Sequence, residues 1–285
     1  LDAAALDAAF AEVKPDLVAH FAALADVAES VADPALYYRV NGHGTQTLLD
    51  AMRRAGAPAL VFSSTCATYG VPETPALGED HRQAPINPYG WSKLFVERML
   101  RDYAAAYGLR AAALRYFNAA GADAEARIGE RHDPEQHLIP RVVMAAQAKA
   151  RGANAPVAFS IFGDDYDTPD GTAVRDYVHV DDLGRAHALA GDHLLRGGGS
   201  LFLNLGTGRG ASVREVADAI EGVSGVAFER AIGPRRPGDP PRLVADPRRA
   251  WETLGWKAER SDMAHIVETA WRWHDRDHDH PARRR

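Results

Sequence analysis

The chain has 285 residues, of which 46% are hydrophobic and 25% charged, and its net charge is −6. This composition is typical of a globular protein with one large domain or two closely joined ones. The negative charge argues against a nucleic-acid-binding surface. The sequence contains no run of 18 apolar residues, so no membrane-spanning helix is predicted. Cys66 is the single cysteine, so no internal disulfide is possible and a cytoplasmic location is expected.

Buried strands alternate with helices along the first two thirds of the sequence. The predicted strands span residues 16–21, 57–63, 111–116 and 201–205. The predicted helices run from Asp33 to about Met52 and from Pro88 to Tyr107, with Gly108 as the C-terminal cap of the second. Nearly continuous apolar strands between helices are typical of a parallel sheet covered on both faces, so we predict a doubly wound α/β fold.

The alternation breaks in two later regions. Gly, Asp, Pro and His crowd residues 119–172, and the pattern weakens again over residues 209–285. We expect these regions to form a smaller lobe over the carboxyl ends of the strands, where ligands of such sheets bind. The predicted domains are therefore 1–118 with 176–208 for the sheet domain, and 119–175 with 209–285 for the lobe.

The positions of the glycines test whether the sequence contains a dinucleotide-binding turn. Such a turn is rich in glycine and follows the first strand, so that the backbone can approach a pyrophosphate. The first glycine is Gly42, and too few residues precede the first predicted strand for a βαβ unit of about 30 residues. We therefore expect the sequence to lack that first unit. The Gly206–Gly210 cluster has a different spacing and is interpreted as a structural turn, followed by a capping box at Ser212 and Glu215.

Tyr89 and Lys93 lie four residues apart on a predicted helix and so share one face. A nearby ammonium lowers the pKa of a tyrosine, which then can remove a hydroxyl proton while hydride leaves the same carbon. Ser63, Ser64 and Thr65 follow a predicted strand, where a hydroxyl can donate a hydrogen bond to the reacting oxygen. Taken singly, the spacing of Tyr89 and Lys93 also fits a pair on a helix surface, and Ser63–Thr65 also fit the polar residues of an ordinary turn.

Further motifs extend along the chain. The earlier ones are His20-Phe21-Ala22-Ala23, Asn41-x-x-Gly44-Thr45, Ser63-Ser64-Thr65 with Tyr69-Gly70, Pro88-Tyr89-Gly90-x-Ser92-Lys93 and Arg115-Tyr116-Phe117-Asn118. The later ones are Ile161-Phe162-Gly163-Asp164-Asp165-Tyr166, Asp170-Gly171-Thr172, Val174-Arg175-Asp176-Tyr177 and Pro234-Arg235-Arg236-Pro237-Gly238-Asp239. From about residue 15 to residue 275 the chain resembles the extended short-chain dehydrogenase/reductase family, and the later motifs are similar to those of its UDP-glucose 4-epimerases.

The resemblance implies a Rossmann-type domain, NAD as cofactor, a UDP-sugar as substrate and a homodimer. The implied reaction is 4-epimerisation of UDP-glucose and UDP-galactose through a 4-keto intermediate. The implied catalytic residues are Thr65, Tyr89 and Lys93. The implied cofactor contacts are Phe21, Ala22, Ala23, Leu24, Asn41, Ser63, Tyr89, Lys93 and Phe117. The implied substrate contacts are Thr65, Asn118, His137, Leu138, Ser160, Phe162, Arg175, Arg236 and Asp239. No metal site is predicted, because the His- and Asp-rich segment 274–280 is interpreted as a solvated terminus.

Alternatives within and outside this family remain open at this point. A 4,6-dehydratase would carry Asp-Glu after the threonine, whereas this chain has Cys66-Ala67. An epimerase for uronic acid or pentose nucleotides stays open, and Leu243 leaves open whether N-acetylated sugars are accepted. An inactive truncated nucleotide-binding fragment is the alternative from a different class, because the family's first βαβ unit is expected to be absent.

Overall fold

A computed structural model describes residues 1–152, 158–236 and 239–278. Pro237 and Gly238 of the arginine-rich motif, and the tail from residue 279 onwards, lie outside the described residues. The chain divides into two compact units. The first unit comprises Leu1–Tyr116, Arg185–Leu205 and Asp246–Trp256, and the second comprises Phe117–Gly184, Gly206–Ala245 and Lys257–Arg285.

The described residues form the following helices and strands, each numbered in chain order. The helices are α1 (Ala3–Val13), α2 (Val27–Ala32), α3 (Pro34–Tyr37), α4 (Gly44–Ala55), α5 (Pro88–Tyr107), α6 (Leu138–Ala150), α7 (Val180–Leu195), α8 (Val213–Ser224), α9 (Arg248–Leu254) and α10 (Met263–His278). The strands are β1 (Val18–His20), β2 (Ala59–Thr65), β3 (Arg110–Tyr116), β4 (Asn118–Ala120), β5 (Ala158–Phe162), β6 (Val174–Arg175), β7 (Tyr177–His179), β8 (Leu201–Leu205), β9 (Ala211–Ser212), β10 (Glu229–Gly233) and β11 (Arg242–Leu243). None of these helices is long and apolar enough to span a bilayer.

The first unit is built on a parallel sheet whose strand order, within the described residues, is β1-β2-β3-β8. Every residue of β2 is buried, as expected for a strand covered on both faces. Side chains of α4, α5, β2 and β3 form one core, to which Leu49, Phe62, Leu100 and Ala113 contribute. The predicted parallel α/β fold is confirmed.

The helix predicted from Asp33 to Met52 differs in detail. It consists of α3, a π-helical segment at Tyr38–His43 and then α4. π-Helical turns are frequent at functional sites because they redirect a side chain. Here Asn41 lies inside that segment and is 2% exposed, so the irregular turn aims an amide into the interior.

Helix α5 begins and ends where its sequence predicts. Asn87 Oδ1 accepts a hydrogen bond from Gly90 N at 2.8 Å, and Pro88 occupies the first turn. Gly108 ends the helix with φ of 72°. A Cβ at Gly90 would lie 2.6 Å from Ala67 O, so the absent side chain lets the first turn of α5 approach the segment after β2.

The second unit contains three small sheets among its described residues, pairing β4 with β7, β5 with β10, and β6 with β9 and β11. Helices α6, α8 and α10 share one apolar core, with Val143, Ile220 and Ile266 fully buried. The predicted capping box of α8 is confirmed: Ser212 Oγ accepts from Glu215 N at 3.0 Å, and Glu215 Oε2 accepts from Ser212 N at 2.6 Å.

Candidate functional site

Two of the three predicted catalytic side chains meet in the first unit. Thr65 is the last residue of β2 and Tyr89 lies in the first turn of α5, and their side chains share a hydrogen bond. Thr65 Oγ1 also accepts from Ala67 N at 3.1 Å, which fixes the hydroxyl. The position is the carboxyl end of a parallel strand, where active sites of such sheets form.

Lys93 lies one turn further along α5 and is 3% exposed. Its ammonium donates a hydrogen bond to Ser63 O at 2.8 Å and lies 4.8 Å from the centre of the Phe62 ring. Burial lowers the pKa of Lys93 to about 8. Burial, and to a smaller extent the charge of Lys93, lowers the pKa of His20 to about 4.

The electrostatics of Tyr89 differ from the sequence-based expectation that Lys93 lowers its pKa. Burial raises the pKa of Tyr89 above its ordinary value, and the hydrogen bond with Thr65 lowers it. The physical reason is that an apolar environment disfavours a phenolate, while the ammonium of Lys93 donates to the Ser63 carbonyl. A further positive charge near Tyr89 is therefore needed for it to ionise near neutral pH.

The predicted cofactor residues after β1 are held by Asn41. Its amide accepts from Leu24 N at 2.9 Å and donates to Leu24 O at 3.0 Å and to Ser92 Oγ at 3.0 Å. One side chain thus joins the segment after β1 to the catalytic helix. Phe21, in the same segment, stacks on His187 with ring centroids 4.7 Å apart and is 55% exposed. Ser63 Oγ is hydrogen-bonded to the hydroxyl of Tyr116.

A buried polar network that the sequence analysis missed lies behind Thr65. Glu97 accepts from Arg115 in a two-point ion pair, with Nε–Oε1 at 2.8 Å and Nη2–Oε2 at 2.7 Å. Ser64 Oγ donates to the same carboxylate at 2.6 Å. Arg115 also donates to Tyr69 Oη at 2.8 Å, which in turn donates to Asn204 Oδ1 at 2.7 Å. Two features of the sequence could have indicated this network. Arg115 lies inside an otherwise apolar strand, and Glu97 follows Lys93 by four residues and so shares its helix face.

Four predicted substrate residues form two pairs in the second unit. Arg175, on β6, forms an ion pair with Asp239 and donates to Val174 O at 2.8 Å. The guanidinium of Arg236 lies 4.1 Å above the centre of the Phe162 ring. A planar guanidinium can bind phosphate oxygens through two parallel hydrogen bonds, so the two arginines supply the chemistry that an anionic ligand requires.

The other predicted binding residues of this unit are spread over three elements. Asn118 lies on β4 and donates to Asp176 O at 3.2 Å, and Phe117 precedes it and is buried. Ser160 lies on β5, two residues before Phe162. Leu138 is the first residue of α6, and His137 is its N-cap residue. The His137 ring interacts through Nδ1 with Glu130 at 2.6 Å and Glu135 at 3.0 Å, a grouping that the sequence analysis did not predict.

The Gly206–Gly210 cluster is organised by a buried carboxylate. Asp176 accepts from Thr207 N at 2.8 Å, Gly208 N at 3.1 Å and Ala245 N at 3.1 Å. These backbone groups are the donors that a phosphate loop would offer to its ligand. Their use by Asp176 agrees with the interpretation of the cluster as a structural turn.

Comparison with known proteins gives consistent matches over most of the chain. Residues 1–206 match the NAD dependent epimerase/dehydratase family. A UDP-glucose 4-epimerase of Rhizobium meliloti (strain 1021) is 52% identical over 271 residues, which are 95% of this chain and 80% of that protein. A UDP-glucose 4-epimerase of Azospirillum brasilense is 52% identical over 268 residues, which are 94% of this chain and 75% of that protein.

Solved structures match the fold as well as the sequence. A UDP-glucose 4-epimerase from Brucella ovis in complex with NAD has a TM-score of 0.90 and 53% identity, and the match covers 95% of this chain and 82% of that one. A UDP-glucose 4-epimerase from Bifidobacterium longum in complex with NAD+ and UDP has a TM-score of 0.88 and 40% identity, covering 98% and 82%.

Proposed function

Because this chain belongs to the NAD dependent epimerase/dehydratase family, we propose that it interconverts UDP-glucose and UDP-galactose by inverting C4 of the sugar. The observation that carries the proposal is the hydrogen bond between Thr65 and Tyr89 at the carboxyl end of β2, with the buried Lys93 one turn along α5. These groups are a hydrogen-bond donor, an acid-base group and a cation, which hydroxyl oxidation at a carbon centre requires.

The residues around β1 and α5 fit a nicotinamide cofactor. Phe21 offers an exposed aromatic face beside the small side chains of Ala22 and Ala23, and Asn41 fixes the backbone of that segment at Leu24. Lys93 offers a buried ammonium to ribose hydroxyls. When bound, NAD supplies a hydride acceptor that takes the C4 hydride and returns it to the opposite face of the 4-keto sugar.

The proton of the C4 hydroxyl is handled by Tyr89. Its phenolate accepts that proton, and Thr65 donates a hydrogen bond to the C4 oxygen. Lys93 carries a positive charge below its pKa of about 8, and the cationic nicotinamide ring of bound NAD would supply the further positive charge that the Tyr89 phenolate requires. On the return step Tyr89 gives the proton back, so the enzyme ends each cycle in its starting protonation state.

The nucleotide part of the substrate is assigned to the second unit. Arg175 and Arg236 bind the pyrophosphate, and Asp239 accepts from ribose hydroxyls. Binding therefore exchanges the ion pair between Arg175 and Asp239 for contacts with the ligand. The remaining contacts are assigned to Asn118, His137, Leu138, Ser160 and Phe162, and Phe117 is assigned to the cofactor.

A homodimer is part of the same proposal. Large apolar side chains are exposed on neighbouring elements of the first unit: Val31, Tyr38, Trp91 and Phe95, with Phe95 58% exposed. Exposed apolar patches of this kind mark protein interfaces. We expect light scattering to give twice the chain mass, and Phe95→Glu to give the single-chain mass. A single-chain mass for the parent protein would contradict this assignment.

The proposed location is the cytoplasm, in agreement with a single buried cysteine that forms no disulfide. Fractionation of the producing cells tests it, and recovery of the protein outside the cytoplasmic fraction would contradict it.

The activity is tested by incubating the purified protein and NAD with UDP-galactose and following UDP-glucose by proton NMR. UDP-glucuronate, UDP-xylose and UDP-N-acetylglucosamine are the comparison substrates. We expect the highest kcat/KM with the UDP-glucose and UDP-galactose pair. A higher kcat/KM with an acidic or pentose nucleotide would replace the substrate assignment, and no turnover of any of them would reject the reaction.

A further inference from the structure

Three potential metal ligands converge in the loop between β4 and α6. The Oε1 atom of Glu130 lies 3.1 Å from His132 Nε2 and 2.6 Å from His137 Nδ1. One ligand atom from each of these residues lies within 4.8 Å of the other two. The centroids of the two imidazole rings are 5.0 Å apart, and the ring planes are inclined by 52°. The cluster lies within the second unit.

The backbone that carries these side chains is anchored at both ends of the cluster. Glu130 O accepts a hydrogen bond from Trp273 Nε1 of α10 at 2.7 Å. A Cβ at Gly129 would lie 2.4 Å from the ring of that tryptophan, so the loop packs directly on the indole. At the other end, Glu135 Oε1 accepts from the backbone N of His137 at 2.8 Å. Anchored ligands lose less conformational entropy on binding than ligands on a loose loop.

The identity of the donor atoms selects the class of cation. Magnesium and calcium prefer sets made of oxygen ligands, whereas imidazole nitrogen suits zinc, copper and nickel. Two histidines and one carboxylate form a three-residue set that zinc uses when it keeps a further position for water. Both histidines are about half exposed, so solvent reaches the cluster to fill that position.

We propose that Glu130, His132 and His137 form a binding site for one divalent cation of the zinc type. Tetrahedral bonds of about 2.0–2.2 Å place ligand atoms about 3.3–3.6 Å apart. The observed separations bracket that value: the pairs with Glu130 are shorter, and the upper limit for any pair is 4.8 Å. Small side-chain rotations would lengthen the two contacts with Glu130 and shorten the distance between the rings. They would bring all three ligand atoms to the separation that tetrahedral zinc requires.

The metal site and the proposed nucleotide-sugar contact at His137 use different parts of one ring. The cation would take Nδ1, the atom that faces Glu130, and Nε2 lies on the other side of the imidazole. Metal binding is therefore compatible with a substrate contact through Nε2. The metal proposal does not depend on the proposed function, and a binding experiment without substrate tests it separately.

The experiment is a calorimetric titration of Zn²⁺ into the chelator-treated, NAD-containing protein. We expect one saturable site per chain with a micromolar or lower Kd. His132→Ala and Glu130→Gln each remove a ligand from residues outside the proposed catalytic and binding machinery. Each should weaken binding by more than about tenfold, since even residues that only orient ligands contribute 10–100-fold. His43→Ala, which removes an exposed histidine of the first unit, is the matched control and should leave binding unchanged.

Two further measurements identify the ligands and the class of cation. Co²⁺ in place of Zn²⁺ should give the visible absorption of a low-coordinate nitrogen and oxygen site, and His132→Ala should abolish it. Excess Mg²⁺ should not displace Zn²⁺. The proposal is overturned if no saturable binding is found, if Mg²⁺ competes at equal concentration, or if binding survives both His132→Ala and Glu130→Gln, because the cation would then bind elsewhere in the chain.

Discussion

The region assigned to catalysis and the region assigned to nucleotide binding differ in how far their charged side chains are buried and paired. Behind Thr65, the Glu97 and Arg115 side chains are each 1% exposed and are joined by two hydrogen bonds. In the second unit, Arg175 and Asp239 are 14% and 32% exposed, and Arg236 lies over an aromatic ring. The first region holds its charges in fixed partnerships, whereas the second pairs its charges where water and ligands can replace a partner.

The difference corresponds to the two tasks. Proton transfer needs Tyr89 and Thr65 at a fixed separation, and a small displacement of either costs rate. A buried ion pair that ties α5 to β3 supplies that rigidity. Binding of a charged nucleotide instead requires groups that can change partners, because an arginine that left a fully buried pair would leave an uncompensated charge behind. The following predictions test this contrast, from the largest expected effect to the smallest.

Tyr89→Phe should remove the acid-base group and leave the nucleotide contacts intact. We expect kcat to fall about 10²–10⁴-fold, the usual contribution of a positioned acid or base, with UDP affinity unchanged. Tyr107→Phe, at the exposed end of the same helix, is the control and should retain full activity. Activity of Tyr89→Phe within a few-fold of the parent would reject Tyr89 as the catalytic group.

Glu97→Gln should destabilise the first unit strongly. It leaves the buried Arg115 without its counter-charge, a change that costs about 3–5 kcal/mol. Urea unfolding measures the loss. Asp102→Asn breaks the exposed pair with Arg98 on the same helix and should give no measurable change. Equal effects of the two substitutions would show that the buried pair is no more important to stability than the surface one.

Arg236→Ala should weaken binding of UDP and of the UDP-sugar alike. A lost charge-assisted hydrogen bond costs about 1.5–3 kcal/mol, which is about a tenfold to hundredfold increase in Kd. The neighbouring Arg235 pairs with Asp165 at the surface, and Arg235→Ala is the matched control. Calorimetry that gave the same Kd for Arg236→Ala and the parent would remove Arg236 from the nucleotide site.

The buried Lys93 should make stability depend on pH in the alkaline range. Its pKa is lowered from 10.5 to about 8 on folding, so between these values the unfolded chain binds more protons than the folded one. Stability contributed at this position is therefore present above pH 10.5, falls as the pH is lowered towards 8, and stays low below it. We expect the parent protein to gain about 1–2 kcal/mol relative to Lys93→Met between pH 7.5 and 9.5.

The measurement is urea unfolding of both proteins at each pH. The difference between their free energies of unfolding isolates Lys93, because the contributions of all other titrating groups cancel. Lys149→Met, at an exposed position on α6, should follow the parent across the range. A constant difference between the parent and Lys93→Met would show that folding leaves the ammonium unperturbed.

Local signals predicted the regular parts of the fold well. Helix α5 and strand β8 have their predicted bounds, Pro88–Tyr107 and Leu201–Leu205, because a proline, a capping glycine and a nearly continuous apolar run each act within a few residues. Strand β2 lies two residues later than predicted, at Ala59–Thr65. The two added residues are Ser64 and Thr65, and the burial of Ser64 is made possible by its hydrogen bond to Glu97 on α5.

The parts that sequence reasoning missed depend on contacts between distant residues. Nothing near Tyr38 indicates a π-helical turn, which is stabilised by Asn41 contacts with Leu24 and Ser92. The pairing of Glu97 with Arg115 joins a helix to a strand, and the cluster at Glu130 joins two histidines five residues apart on a loop without periodicity. Tyr89, Lys93 and Thr65 were identified because their spacing is a family motif. Whether burial or the hydrogen bond with Thr65 dominates the pKa of Tyr89 could be judged only from the surrounding structure.

Gly90 illustrates how a residue without a side chain can govern an active site. It has no side chain, and Ala67 O and Pro85 Cβ lie 2.6 Å and 3.0 Å from the point where a Cβ would be. Even alanine there would push the first turn of α5 away from the segment that follows Thr65. In a saturation screen that scores turnover and protein abundance separately, position 90 should therefore lose turnover with nearly every substitution while abundance changes little. The screen would classify this glycine with the active-site residues although it supplies no functional group.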